Sequence, residues 1–154
     1  MKFLECLVPP PAVGIVACVL MWFARDIGPH LPLPFVARVL IGVALAAFGM
    51  ALAGRCARTF IGARTTLNPT KPAEATVLVT HGAFARSRNP MYVAMGVTVI
   101  GWGIGLGAIP ALLLGLLLFV LWITRFQILP EERALRDLFG AEFDAYCARV
   151  RRWV

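Results

Sequence analysis

Acidic residues are scarce in this chain of 154 residues: eight Asp and Glu stand against fifteen Lys and Arg, and charged residues make up only 15% of the total. With 60% hydrophobic residues and a mean hydropathy of +0.80, the composition excludes an ordinary soluble domain with one core. We therefore predict an all-α, polytopic integral membrane protein of one domain. Its net charge of +7 suits contact with nucleic acid, contact with anionic lipid, or a membrane topology signal, and the positions of the basic residues decide among them.

Cysteine and histidine are also few. The cysteines show no Cys-x-x-Cys spacing, so we expect reduced, unpaired thiols at Cys6, Cys18, Cys56 and Cys147. His30 and His81 have no second ligand at metal spacing, and no metal site is predicted.

Long apolar runs fill most of the chain. Two of them predict membrane spans at about residues 7–24 and 34–54. A third run, residues 91–124, contains no charged residue. At about 1.5 Å per residue it would be roughly 51 Å long, whereas a hydrocarbon core is about 30 Å thick, so it must fold back as a helical hairpin.

The break in this hairpin is predicted at GWGIGLGAIP, residues 101–110, because glycine and proline loosen a helix there. This gives spans at about 91–106 and 108–125, and four spans in total. The glycines superficially resemble a dinucleotide-binding fingerprint, but the required strand, helix and acidic residue are missing, so helix packing and the turn explain them better.

Basic residues cluster in two places, between spans two and three and after span four. The members are Arg55, Arg58, Arg64, Lys71, Arg86, Arg88, Arg125, Arg133, Arg136, Arg149, Arg151 and Arg152. The positive-inside rule then predicts that both termini are cytoplasmic, in the inner membrane if the chain is bacterial, as its Ala, Gly and Arg content suggests. The charge surplus is thus a topology signal with some contact to membrane lipids, and no nucleic acid partner is expected. We read the N-terminus as a retained first span and not as a cleaved signal peptide.

The connection 55–90 is long, polar and broken by Asn-Pro and Lys-Pro, and such connections are usually functional. It ends in RSRNPMYVAMG, residues 86–96. Pro90 suits the first turn of a helix, and the Asn89 side chain suits an N-cap that accepts from backbone N–H groups. Capping does not explain Arg86, Arg88 and Tyr92, which are either interfacial anchors or part of a ligand site.

A C-terminal amphipathic cytoplasmic helix is predicted at residues 130–148. Its apolar stripe consists of Leu135, Leu138, Phe139, Phe143 and Tyr146. Glu132 projects from the apolar side, and Glu131 and Glu142 lie at or within its edge. A carboxylate there needs a cation, either an arginine from the first polar segment or a bound ligand. This arrangement suits a zwitterionic ligand held where water meets lipid.

The two polar segments and the hairpin between them resemble a known family. LVTHGAFARSRNPMYVAMG, followed by a charge-free hairpin and EERALRDLFGAEFDAYCARVRRW, is similar to the short bacterial form of the isoprenylcysteine carboxyl methyltransferase family, over about residues 64–154. Phospholipid N-methyltransferases share Asn-Pro-Met-Tyr and the Glu-Glu pair, so the resemblance extends to the wider group of membrane methyltransferases.

The resemblance implies S-adenosylmethionine as methyl donor, with S-adenosylhomocysteine as product. It implies donor-binding positions at Arg88, Asn89, Pro90, Tyr92, Gly96, Glu131, Glu132 and Tyr146. It implies catalytic positions at Arg88, Asn89, Tyr92 and Arg149. In this picture Glu132, with Glu131, contacts the amino-acid end or ribose of the donor, and Arg88 with the Asn89 region contacts its carboxylate.

The chain departs from the family pattern at three positions. Ala83 stands where Pro is common, Phe143 where a Tyr is common, and Asn89 where eukaryotic members have His. Because Asn cannot act as a general base, an acceptor that is already an anion, such as a carboxylate, is mildly favoured.

The predicted function is methyl transfer to a small lipophilic acceptor that enters from the bilayer. If the acceptor is a carboxylate, the reaction is isoprenylcysteine-type O-methylation. The nearest alternative is a phospholipid or amine N-methyltransferase. A small transporter would need an ionisable residue inside the spans, where only Arg38 occurs, near one end, and a non-enzymatic scaffold would not need acids on the packed face of the last helix. The sequence leaves the acceptor and the oligomeric state open.

Overall fold

A computed structural model describes residues 5–62 and 76–154. The helices are α1 (Pro10–Phe23), α2 (Phe35–Gly62), α3 (Pro90–Leu106), α4 (Ile109–Ile123) and α5 (Leu129–Arg149). A short 3-10 helix, Gly82–Ala85, precedes α3, and a π-helical segment, Thr124–Ile128, joins α4 to α5. No strand occurs within these described ranges, which confirms the all-helical prediction for them.

Two helical stretches are long and apolar enough to cross a membrane: Phe35–Gly62 and the continuous run Ile109–Arg149. The helices α1 and α3 are also apolar but shorter, at 14 and 17 residues. Large apolar side chains cover the outside of the bundle, with Phe23 78% exposed and Leu113 62% exposed. An apolar surface of this extent suits contact with lipid chains.

The helices α2 and α3 approach closely because small residues line their contact. A Cβ atom on Gly42 would lie 2.6 Å from the carbonyl oxygen of Gly101, and the reciprocal distance is also 2.6 Å. Two helical turns further along α2, a Cβ on Gly49 would lie 2.6 Å from the carbonyl oxygen of Ala94. Packing through small residues is the usual way for two membrane helices to associate, because lipid offers them no hydrophobic driving force.

The hairpin between α3 and α4 turns inside the glycine-rich stretch, as predicted. Gly107 ends α3 in the left-handed conformation, with φ +84°, which glycine adopts without strain. The guanidinium of Arg38 donates to the carbonyl oxygen of Leu106 at 3.1 Å, and the backbone N–H of Leu31 donates to that of Gly107 at 2.7 Å. Arg38 thereby satisfies a helix end that would otherwise have free carbonyl groups.

The polar connection begins later than predicted. We expected span two to end at residue 54, but α2 continues to Gly62. The extra turns are held by packing, because Cys56 is buried and the ring of Phe60 contacts that of Phe84 edge-on at 5.0 Å between centroids. The middle of the predicted connection, including Arg64 and Lys71, lies outside the described residues.

The C-terminal helix differs from its prediction in two ways. It does not start afresh at Pro130, because the π-helical segment makes it continuous with α4. It also bends at Gly140, whose φ of 49° and ψ of −122° are non-helical. The bend divides the predicted apolar stripe: Phe143 and Tyr146 beyond it are buried, whereas Leu138 before it is 46% exposed.

Candidate functional site

The start of α3 and the start of α5 meet in a polar cluster centred on Glu132. This carboxylate is buried, and Arg152 binds it in a bidentate manner, with Nε at 3.0 Å from Oε1 and Nη2 at 2.8 Å from Oε2. Arg88 Nη2 lies 3.2 Å from Oε1. Glu132 thus has the cationic partner that its position on the packed face required. An arginine of the first polar segment was one of the two predicted alternatives, and Arg88 is that arginine.

Arg152 reaches Glu132 because the C-terminal tail, residues 150–154, lies across the start of α3. The backbone N–H of Arg88 donates to the carbonyl oxygen of Arg151 at 2.9 Å, and Asn89 Nδ2 donates to that of Arg152 at 2.9 Å. The hydroxyl of Ser87 donates to the same oxygen of Arg152 at 3.5 Å.

These contacts correct the predicted role of the Asn89 side chain. Asn89 occupies the N-cap position of α3, but its side chain makes no capping hydrogen bond. Its amide donates to the tail instead, because the tail presents a carbonyl oxygen within reach. Pro90 occupies the first turn of α3 as predicted.

Glu131 forms a second contact beside the first. The Tyr92 hydroxyl donates to Glu131 Oε1 at 2.5 Å, which joins α3 to α5 across 39 positions of sequence. Burial raises the pKa of Glu131 to about 7; the hydrogen bond from Tyr92 opposes this shift, and the negative charge of Glu132 adds to it. Glu131 is therefore a carboxyl group that exchanges a proton near neutral pH.

The π-helical segment connects this site to the N-terminal segment. Proline has no N–H to donate to the carbonyl group four positions back, so Pro130 leaves the carbonyl oxygen of Phe126 free. The backbone N–H of Cys6 donates to that oxygen at 2.8 Å, and Gln127 Nε2 donates to the carbonyl oxygen of Val8 at 2.6 Å. Such π-helical segments are common at functional sites.

Ion pairs of Glu5 also fix the N-terminal segment beside the site. Glu5 pairs with Arg125 at 2.9 Å and also with Arg133. Burial, with the charges of Glu131 and Glu5, raises the pKa of the Cys6 thiol to about 11, so this thiol is protonated and unreactive at neutral pH. The four cysteines are free, as predicted.

Tyr146 closes the other side of the cluster. Its hydroxyl donates to the carbonyl oxygen of Phe84 at 2.7 Å, which ties α5 to the 3-10 helix that precedes α3. Burial is the main reason that the pKa of Tyr146 rises, to about 12.

The predicted site residues are mostly brought together, with two exceptions. Gly96 lies on α3 and faces Phe119 of α4, whose ring an added Cβ would meet at 3.6 Å, an ordinary contact distance. Arg149 is exposed at the end of α5, and its side chain donates to the carbonyl oxygen of Ala145, one turn earlier on the same helix, at 3.3 Å.

Ser87 and Arg152 were missed by the sequence analysis. Neither has a periodic pattern that could have pointed to it, and the only available signal was the run of arginines at residues 149–152.

One buried atom of the cluster keeps unused hydrogen-bonding capacity. Arg88 Nε is buried without a hydrogen-bond partner among the described residues, and a buried unpaired donor is costly unless something binds it. The two arginines and Glu132 together carry one net positive charge. A carboxylate would satisfy both the free donor and the charge, so the residues fit the amino-acid end of S-adenosylmethionine. Within the described ranges, no group of three or more His, Cys, Asp or Glu side chains could hold a metal ion.

An apolar cleft of about 770 Å³ lies between α1, α2 and α3. Its lining includes Gly14, Ala53, Ala94, Met95 and Trp102. The end of the cleft at Ala94 and Met95 is within one helical turn of Tyr92, and its volume falls in the usual range for small-molecule sites.

Comparison with known proteins gives one family. Residues 37–142 match the phospholipid methyltransferase family. A protein of Haemophilus influenzae described as uncharacterized is 39% identical over 64 residues, which are 42% of this chain and 100% of that protein. No solved structure matches the chain.

Proposed function

The chain belongs to the phospholipid methyltransferase family, and we propose from this membership that it is an integral membrane methyltransferase that uses S-adenosylmethionine to methylate a lipophilic acceptor. The observation that carries the proposal is the meeting of two charged contacts, Glu132 with its arginines and Glu131 with Tyr92, beside an apolar cleft.

The donor would be held by the polar cluster. Its amino-acid end is a zwitterion, for which Glu132 offers a carboxylate and Arg88 offers a buried guanidinium with one free donor. When bound, the donor would supply a methyl group on a sulfonium, and its demethylated thioether would be the leaving group. The chain contributes binding, alignment and exclusion of water, since charge is neutralised during attack by an anion and a dry site favours such a step.

The acceptor would enter from the bilayer through the apolar cleft. Lipid chains fit a lining of this kind, and the cleft ends near Tyr92, where the reacting head would meet the donor. Such an enzyme would be embedded in a membrane because the donor arrives from the aqueous side and the acceptor from the lipid side.

Two acceptor chemistries are compatible with this site. A carboxylate needs no base, which suits the isoprenylcysteine-type O-methylation. An amine must lose a proton, and Glu131, with its pKa raised to about 7, would be available to receive it. Methyl-labelled product distinguishes them, because a methyl ester is released by mild alkali whereas an N-methyl group is stable.

The membrane arrangement is part of the proposal. We infer four spans, formed by α1, α2, α3 and α4 with its π-helical continuation, and cytoplasmic termini in a bacterial inner membrane. The test is labelling of single introduced cysteines by a membrane-impermeant thiol reagent in cells and in inverted vesicles. Labelling of the α3–α4 turn only from the outside, and of the C-terminal tail only from the inside, is the expected result.

The decisive experiment is calorimetric binding of S-adenosylmethionine to the detergent-purified protein, together with Glu132→Gln. Loss of a charged contact costs about 1.5–3 kcal/mol, so we expect about tenfold weaker binding or more. Glu142→Gln is the matched control, because Glu142 is exposed on the same helix. If folded wild-type protein binds neither S-adenosylmethionine nor S-adenosylhomocysteine, the enzyme assignment fails, and a scaffold role is the better explanation.

A further inference from the structure

The carboxylate of Glu132 is buried and already paired with two guanidinium groups. Arg152 covers both of its oxygens, at 3.0 and 2.8 Å, and Arg88 approaches one of them at 3.2 Å. The Glu132 side chain is only 10% exposed. An ammonium group that arrives at Glu132 must therefore displace a guanidinium, and that guanidinium must find another anion, because an uncompensated buried charge is costly.

Arg152 is the arginine that can move. Arg88 precedes α3 directly and its side chain is 13% exposed, whereas the Arg152 side chain is 38% exposed and belongs to the tail that follows α5. The tail is held at the site by its backbone contacts with Ser87, Arg88 and Asn89. The Arg152 side chain can leave Glu132 while its main chain stays in place.

We propose that the Arg152–Glu132 ion pair is exchanged for two ion pairs when the zwitterionic end of the donor binds. The donor's ammonium takes Glu132, and its carboxylate takes the guanidinium that Arg152 withdraws, next to the free Nε of Arg88. This assigns Arg152, which lies beyond the residues that match the family, a donor-binding role. It rests on the proposed function and deepens it.

The exchange makes the site selective for zwitterions. One internal pair is replaced by two intermolecular pairs, so no buried charge is left alone. A ligand with an ammonium but no carboxylate would free Arg152 without giving it a partner, and a ligand with neither charge would leave the internal pair intact. The internal pair therefore works as a filter for the amino-acid end of the ligand.

The test uses calorimetric binding of three compounds to the full chain in detergent: S-adenosylmethionine, its decarboxylated form, and 5′-methylthioadenosine. We compare wild type with Arg152→Gln, and Arg151→Gln serves as matched control, because it removes the same charge from an exposed neighbour. Arg152→Gln should weaken S-adenosylmethionine about tenfold or more. The same variant should bind the decarboxylated compound more tightly than wild type does, because Glu132 has lost its competing guanidinium, and should bind 5′-methylthioadenosine unchanged.

Two results would overturn the exchange. Tighter binding of both charged compounds would mean that Arg152 only blocks the site, and no difference from Arg151→Gln would mean that the ion pair is irrelevant to the donor. If Arg152→Gln binds none of the three compounds, it is misfolded, and Arg152→Lys is used in its place. The affinities of Arg152→Lys should change in the same directions as expected for Arg152→Gln, but by smaller factors. Failure of the wild type to bind S-adenosylmethionine would instead refute the proposed function, so the two failures are distinguishable.

Discussion

The Tyr92 hydroxyl donates to the Glu131 carboxylate at 2.5 Å and so links the first turn of α3 to the first turn of α5. This contact couples the two motifs of the candidate site to each other. Since burial raises the pKa of Glu131 to about 7 while the Tyr92 bond opposes the shift, the contact is stronger when Glu131 is ionised.

Replacing Tyr92 should therefore have a pH-dependent cost. Tyr92→Phe removes a hydrogen bond to a charged group at pH 8, worth about 1.5–3 kcal/mol, but a bond to a mostly neutral group at pH 5.5, worth about 0.5–1.5 kcal/mol. Thermal unfolding in detergent at the two pH values measures the difference. Tyr146→Phe is the matched control, because its hydroxyl donates to the Phe84 carbonyl oxygen, which does not titrate. Equal losses for Tyr92→Phe at both pH values would contradict the assignment.

Glu131 itself should make stability fall as pH rises. The pKa of Glu131 is about 7 in the folded chain against an ordinary value of 4.5, so between these values the folded chain keeps a proton that the unfolded chain has lost. The stability from this proton is fully present below about pH 4.5, declines up to about pH 7 and is absent above it. At about 1.4 kcal/mol per pKa unit and with allowance for partial exposure, the loss is roughly 1–3 kcal/mol.

Glu131→Gln keeps an acceptor for the Tyr92 hydroxyl but cannot titrate. Its melting temperature should depend less on pH between 5 and 8 than that of the wild type, and should exceed it at pH 8. Glu142→Gln, at an exposed position, should follow the wild-type curve. Parallel curves for wild type and Glu131→Gln would show that Glu131 does not titrate in this window.

The hairpin was predictable from the sequence, because its causes are local. A charge-free run that is too long for one span must turn, and the glycines indicate where it turns. The positive φ of Gly107, at the end of α3, confirms the turn within this stretch. The inward position of Glu132 also followed from helical spacing. The cost of burying a carboxylate also required a cation beside Glu132, for which the sequence left open an arginine of the first polar segment or a bound ligand. In the structure that arginine is Arg88.

Other features depend on contacts that spacing does not encode. Arg152 acts from an extended tail, where no helical period indicates its neighbours. The end of α2 was placed too early because Arg55 and Arg58 look like the edge of a membrane span, whereas a helix continues past that edge when packing supports it. The kink at Gly140 results from the backbone conformation of one residue, and it leaves no sign in the spacing of the apolar residues.

The contact between α2 and α3 should be intolerant of a single methyl group. Gly42→Ala places a Cβ 2.6 Å from the carbonyl oxygen of Gly101, and backbone must shift to admit it, at a cost of about 1–3 kcal/mol. Gly54→Ala, on the same helix, meets nothing within 4 Å and should be neutral or stabilising by about 0.5–1 kcal/mol. In detergent, Gly42→Ala should lower the melting temperature, whereas Gly54→Ala should leave it unchanged or raise it. A similar loss of stability in both would indicate that helix packing at Gly42 is not the cause.

Filling the apolar cleft should weaken acceptor binding and leave donor binding alone. Ala53 lines the cleft on α2, while Ala51, two residues earlier, is exposed and does not line it, so Ala53→Phe and Ala51→Phe add the same ring at different places. If the ring prevents burial of two methylene groups of the acceptor chain, at about 0.8 kcal/mol each, KM for the acceptor should rise about tenfold or more. One measurement is transfer of the labelled methyl group from S-adenosylmethionine into lipids that are extracted from the membrane of the expression host and titrated in mixed micelles. The second is calorimetric binding of the donor to the same variants. An unchanged KM in Ala53→Phe, with normal donor affinity, would place the acceptor elsewhere on the bundle, and equal effects of the two variants would point to the lipid-facing surface of α2 as a whole.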